Sequence, residues 1–159
     1  QAKAMEKAQN WTGAIQAYTQ ETAVYPDNEL AWLGLANSSL SRGNFGGAQN
    51  AAQQALQVNP GYASAYYYQA MVKFYQQQTQ EAQALFERVL ELDDRFYLAH
   101  FFLGQIHKDR DVTTAFNYAK RSIEINPRFK QGYLLLAEIY ERNNNPQQAE
   151  QMRARAAAL

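Results

Sequence analysis

The chain contains no cysteine. That removes disulfides, cysteine-ligated zinc and thiol catalysis, and it leaves the compartment unknown, because periplasmic and cytosolic chains can both lack the residue. Excess charge of one sign is also missing: 15 Lys and Arg face 15 Asp and Glu. Net neutrality argues against a nucleic-acid partner or an anionic membrane surface, where binding phosphates takes a surplus of basic side chains. No apolar run approaches the roughly 20 residues of a membrane-spanning helix, and no secretory leader lies within these residues. Direct membrane insertion is therefore not expected, and any leader would precede the first residue here.

What is present is enough apolar material to build a core, 47% of residues against 19% charged, so the chain need not be disordered. The charges are uneven. Residues 1–80 hold four basic and four acidic side chains and residues 81–159 hold eleven of each, which leaves the first half to be solubilised by Gln, Asn and Ser. The run YYYQAMVKFY, Tyr66 to Tyr75, carries five aromatic rings in ten residues, and the side of the element they occupy becomes a question of function.

Self-similarity sets the architecture. Alanines recur at Ala14, Ala48, Ala82, Ala115 and Ala149, at spacings of 34, 34, 33 and 34. A second small-residue series runs through Ala2, Ala36, Ala70, Gly104 and Ala137. Rings keep the same period at Trp32, Tyr66, His100 and Tyr133, and Pro26, Pro60 and Pro127 do so as well, with Asp94 in place of one proline. The residue lost from one period falls between Gly104 and Ala115, within an expected turn, where a deletion costs least. Each period reads as two amphipathic helices. In the second, Leu30 to Arg42 is helical, Gly43 to Gly47 turns the chain, Ala48 to Val58 is helical again, and Asn59-Pro60 stops it.

At Trp32, Leu35 and Ala36, followed by Ala48, Ala55 and Pro60, the sequence resembles the tetratricopeptide repeat family. The pattern returns at Tyr66 and Ala70 with Ala82, Phe86 and Val89, and at Tyr133, Leu136 and Ala137 with Tyr140 and Ala149. The resemblance covers almost the whole chain. It implies an all-α fold: a right-handed solenoid of stacked antiparallel helix pairs, about four and a half to five units in a single array, each pair burying its apolar face on its neighbours. The expected repeats are 1–28 with a truncated first helix, 29–62, 63–96, 97–129 and 130–159. No capping helix follows the last, so the chain is expected to be part of a longer one or to have its ends covered by another copy. Gln69, Lys73 and Arg153 depart from the family pattern, which prefers apolar or aromatic residues there.

On a helical wheel of 100° per residue, Tyr66, Gln69, Ala70 and Lys73 share the arc that holds the repeating small and ring residues, and Tyr67, Tyr68, Met71, Phe74 and Tyr75 occupy another arc of about 120°. In the resembled family that second surface lines a concave groove that receives partner peptides or helices. Three rows follow by register: Leu33, Tyr67, Phe101 and Leu134; Gly34, Tyr68, Phe102 and Leu135; Asn37, Met71, Gln105 and Glu138. The first can equally serve local packing. The second is more telling, because the family usually has a polar residue there. The expected partner-binding residues are thus Leu33, Asn37, Tyr67, Tyr68, Met71, Tyr75, Phe101, Phe102, Gln105, Leu134 and Leu135, turning charged at Glu138, Glu141 and Arg142.

Other chemistry finds little support. The charged groups with which some family members hold a carboxylate are replaced by Leu33, Tyr68, Leu98 and Phe102, and of the asparagine ladder of sugar-transferase repeats only Asn37 is present. His100 and His107 lie seven apart with no carboxylate to complete a metal site, so helix packing is the better reading. Glu87, Glu91, Asp93 and Asp94 lack calcium-loop spacing, and Gly43 to Gly47 lacks the Lys-Ser/Thr of a phosphate loop. No catalytic constellation, metal site or cofactor is expected. RNA binding would need a basic stripe, and Lys73, Lys108 and Lys130 are too few. The reading is a protein-interaction scaffold for an apolar or amphipathic segment, with self-association through the groove or the uncapped ends as the alternative.

Overall fold

The computed structural model describes residues 1–159 and is entirely helical. The helices are α1 (Ala2–Lys7), α2 (Trp11–Val24), α3 (Glu29–Ser41), α4 (Phe45–Val58), α5 (Ala63–Tyr75), α6 (Thr79–Leu92), α7 (Tyr97–His107), α8 (Val112–Ile125), α9 (Lys130–Arg142) and α10 (Pro146–Ala157). They fall into two compact units, Gln1–Arg88 and Val89–Leu159. In the first unit α2 packs on α3 and α4 on α5, and the first helices α1, α3 and α5 touch in sequence; in the second, α8 packs on α9 and α7 touches α9. The first helices therefore make an inner layer in each unit. None of the ten is long and apolar enough to cross a membrane.

The alanine series explains the pairing. Ala14, Ala48, Ala82, Ala115 and Ala149 are fully buried, as are Ala36 and Ala70, so two backbones approach wherever the two series meet. Gly104 takes the alanine's place in α7, where a Cβ would lie 3.1 Å from Leu135 and 3.3 Å from backbone atoms of Ala115 and Ala119.

The turns inside the pairs share one closure. Gln9, Gly43, Gln77 and Asn144 adopt positive φ of 55°, 73°, 61° and 55°. The next N–H in each, from Asn10, Asn44, Gln78 and Asn145, donates to the carbonyl five residues back at 2.8–2.9 Å. This pattern, with a left-handed residue past the helix end, satisfies the orphan carbonyls of the last turn. The turn after α7 lacks it. Asp111 N–H donates instead to His107 only four residues back, at 2.8 Å, so the residue deleted from this period is the left-handed one. A side chain at positive φ is strained. Gln77→Gly is therefore expected to raise stability by about 0.5–1 kcal/mol in chemical denaturation.

The turns between pairs have their own tie. Trp32 Nε1 donates to Pro26 O at 2.8 Å, His100 Nε2 to Asp94 O at 2.9 Å and Tyr133 Oη to Pro127 O at 3.2 Å, each across six residues. The periodic rings thus clamp each first helix to the turn before it. Tyr66 places its ring under the Arg88 guanidinium instead, 5.7 Å from the centroid.

Residues that break the family pattern find polar partners. Gln69 is buried and donates its amide to Gln53 Oε1 at 3.1 Å. Lys73 pairs with Glu81 at 2.7 Å, and Arg153 with Glu141 at 2.5 Å. Of these contacts only the Gln69–Gln53 bond joins α5 to α4, at a place where α9 carries Leu136.

Candidate interaction surface

The tyrosine-rich helix α5 threads its rings through the first unit in a continuous chain. Phe45 stacks on Tyr75 with centroids 6.1 Å apart and planes 14° apart. Tyr75 meets Phe74 at 6.1 Å, Phe74 meets Phe86 at 6.5 Å, Phe86 meets Tyr67 at 6.1 Å, and Tyr67 meets Tyr68 edge-on at 5.4 Å. Offset and edge-on contacts of this kind add about 0.5–1.5 kcal/mol each beyond area burial. Phe86, in the middle of this chain of rings, is wholly buried, and Tyr75, between Phe45 and Phe74, is 55% exposed.

The structure separates the expected contact residues by register. In the first row Leu33 packs with Ala55, Leu56 and Ala65, under Tyr62 and Tyr68 of the next pair. Phe101 is likewise buried, with its ring 5.0 Å from Phe129. Both face the pair that follows, so they serve the core; Tyr67 is half-buried, and Leu134, on the last first helix, is 44% exposed. In the second row Gly34, Tyr68 and Leu135 each meet the second helix before them, and the sizes are complementary. Tyr18 fills the space at Gly34, where a Cβ would lie 2.2–2.6 Å from the ring. Tyr68 packs against the cluster that contains Ala52, and Leu135 is buried with Ala119. Bulk at these places thus answers a small residue sixteen positions earlier.

Four of the eleven expected residues, Leu33, Met71, Phe101 and Leu135, are consequently buried at 9% exposure or less. They support the inner layer from below and do not form its open surface. Phe102 and Gln105 are half-buried, Phe102 with its ring 5.1 Å from Phe101 and packed against the second unit's core. Asn37 is half-buried, and its amide is already engaged: Nδ2 donates to Glu6 Oε1 at 2.9 Å, Ser38 Oγ donates to the same oxygen at 3.2 Å, and Tyr18 Oη donates to Glu6 Oε2 at 3.1 Å. Burial, reinforced by the Glu6 carboxylate, holds the Tyr18 phenol far above its ordinary range, so it stays a donor. Burial likewise pushes Tyr68 up to about 12, with a smaller contribution from Glu6.

In the second unit the charged edge is internally paired. Lys108 Nζ meets Glu138 at 2.8 Å, and Arg142 reaches both Asp109 and, at 4.0 Å, Glu138. The two histidines flank one ring, His100 and His107 lying 5.9 and 6.0 Å from Tyr118. No three His, Asp or Glu side chains converge as metal ligands would.

Sequence reasoning missed Glu6, Tyr18 and Phe45. The large–small alternation at a sixteen-residue offset was the available signal for Tyr18. It also missed a recess of about 290 Å³ between α8 and α9, lined by Val112, Phe116, Ile139 and Tyr140. A second, of about 420 Å³, lies between α2 and α3 against Thr12, Ile15 and Arg42. Thr12, Ile15 and Arg42 precede Thr113, Phe116 and Asn143 by three repeats, so both recesses arise from one packing geometry.

Tetratricopeptide repeat models match residues 1–48, 33–72, 69–128 and 118–151. The chain belongs to the tetratricopeptide repeat family. Membership supports a protein-interaction scaffold. No curated protein matches the sequence. Among solved structures, this tetratricopeptide repeat chain is similar to MamA, at 21% identity and a TM-score of 0.75 over 99% of this chain and 92% of that one. It is similar also to TTC0263, a thermophilic TPR protein of Thermus thermophilus, at 16% identity and a TM-score of 0.83, covering 98% and 86% of the two chains. YrrB, described as a TPR protein with an unusual peptide-binding site, gives 17% identity and a TM-score of 0.66, covering 98% and 80%. Identities this low show a shared fold alone.

Proposed function

We propose that this tetratricopeptide repeat chain is a non-catalytic scaffold that binds an apolar or amphipathic segment of a protein partner through side chains its inner layer leaves open. In the first unit these are Tyr75, stacked on Phe45, with the half-buried Tyr67 and Tyr68 on the same helix face. In the second they are Leu134, with Phe102 and Gln105. The observation that carries the reading is Tyr75: a large ring, more than half exposed, held in place between Phe45 and Phe74 in a chain of ring contacts. A rigid, exposed aromatic anchor is the usual centre of a binding hot spot. A peptide-binding site on YrrB, which shares the fold, supports a peptide as the kind of ligand. An apolar patch of about 400 Å² would return roughly 10 kcal/mol gross, and association and ordering reduce that to micromolar affinity.

The test is selection of helical peptides from a display library against the intact chain, followed by calorimetry. Binders are expected to carry apolar residues at i, i+3, i+4 and i+7 and to show a negative heat-capacity change. Tyr75→Ser is expected to weaken them about tenfold or more, the cost of losing an anchor worth about 1.4 kcal/mol, with the helical circular dichroism unchanged. Unaltered affinity in both Tyr75→Ser and Leu134→Ser would refute the surface.

A further inference from the structure

Three periodic rings make one and the same tie to the preceding turn, and only one of them titrates near neutrality. The indole of Trp32 and the phenol of Tyr133 donate to Pro26 O and Pro127 O, and of the three side-chain types imidazole is the one that ordinarily changes charge between about pH 5 and 8. His100 makes the equivalent bond to Asp94 O at 2.9 Å. A carbonyl only accepts, so Nε2 must carry the hydrogen and Nδ1 must be bare in the neutral ring. That Nδ1 is buried and has no hydrogen-bond partner.

We propose that His100 is an acid-released tie, which holds the turn before α7 while the imidazole is neutral and lets it go when the imidazole is protonated. Protonation would place an N–H on Nδ1 where nothing accepts it, and a buried unsatisfied donor costs about 1–3 kcal/mol, more when charged. The ring can escape that cost only by turning Nδ1 toward water, which breaks the bond to Asp94 O. The ionisable neighbours are Asp94 in the turn, Tyr118 and Arg121 on α8, and His107 beyond Tyr118. Burial is the largest influence and lowers the proton affinity of the folded state; Arg121 acts the same way, against the bond to Asp94 O and the Asp94 carboxylate, which favour a cation. Below about pH 6.5, the ordinary histidine value, the unfolded chain then takes up a proton that the folded chain resists. Stability falls as the solution is acidified.

The experiment is denaturant unfolding of the whole chain between pH 7.5 and 5.5, above the range in which carboxylates titrate. The wild-type unfolding constant is expected to rise by up to about tenfold over this interval. His100→Tyr, which restores the hydroxyl donor used at Tyr133, is expected to flatten the dependence, and His107→Asn to leave it as in the wild type. A His100→Tyr profile as steep as the wild type, or a flat His107→Asn profile, would overturn the proposal. Should His100→Tyr not fold, nitrogen NMR of wild-type imidazoles decides. The Nε2–H tautomer with a midpoint below that of an unfolded peptide supports the tie, and a midpoint at or above it refutes the tie.

Discussion

Gly34→Ala is expected to destabilise the chain by about 1–3 kcal/mol, although it replaces a helix-interior glycine with the best helix former. The new Cβ would sit 2.2–2.6 Å from three atoms of the Tyr18 ring. That ring has no easy retreat, since Tyr18 is 4% exposed and its hydroxyl is bonded to Glu6. In a Tyr18→Ala background the space opens, and the same substitution is expected to change sign and stabilise by up to about 1 kcal/mol, the propensity gain of Ala over Gly. Denaturant titration of the four proteins gives the coupling directly. Additive effects would mean that Gly34 and Tyr18 do not share a site.

Tyr68→Ala is expected to cost about 3–5 kcal/mol, in the range of aromatic truncations in a core. Its ring packs against the clusters holding Leu33, Ala55 and Ala65 and holding Ala36, Ala51 and Ala52, and it abuts Tyr67. Tyr75→Ala, seven residues further along the same helix, is expected to cost about 1 kcal/mol or less, because most of its ring already faces water. The contrast separates a ring whose covered part builds the repeat, as at Tyr68, from one left largely open for a partner, as at Tyr75. Comparable costs at the two positions would erase that distinction.

These two residues also show where sequence reading stops. Periodicity gave the helix pairs, the close-packed alanines and the turn that lost a residue, because those follow from local spacing alone. The same wheel placed Tyr68 and Tyr75 on one arc and could not tell them apart, since burial depends on what the neighbouring pair brings. Leu33 and Phe101 are covered by the pair that follows them, and Leu135 is buried beside the alanine that precedes it. An expectation drawn from one helix at a time therefore overstated the open surface. Glu6 and Asn37 are 31 residues apart in sequence and meet at 2.9 Å, a pairing that no single period contains. Gln69 and Lys73, which looked like packing faults, are accommodated because Gln53 and Glu81 face them.

In the proposed function, the inner layer leaves particular aromatic and aliphatic side chains open to a partner's apolar face. The most direct measurement is an amide and methyl NMR titration of the labelled chain with the tightest selected peptide. Perturbations are expected to concentrate on Tyr67, Tyr68 and Tyr75 of α5 and on Phe102, Gln105 and Leu134 of α7 and α9. Perturbations confined to the recesses beside Phe116 and Ile15, with the inner-layer signals unmoved, would contradict it.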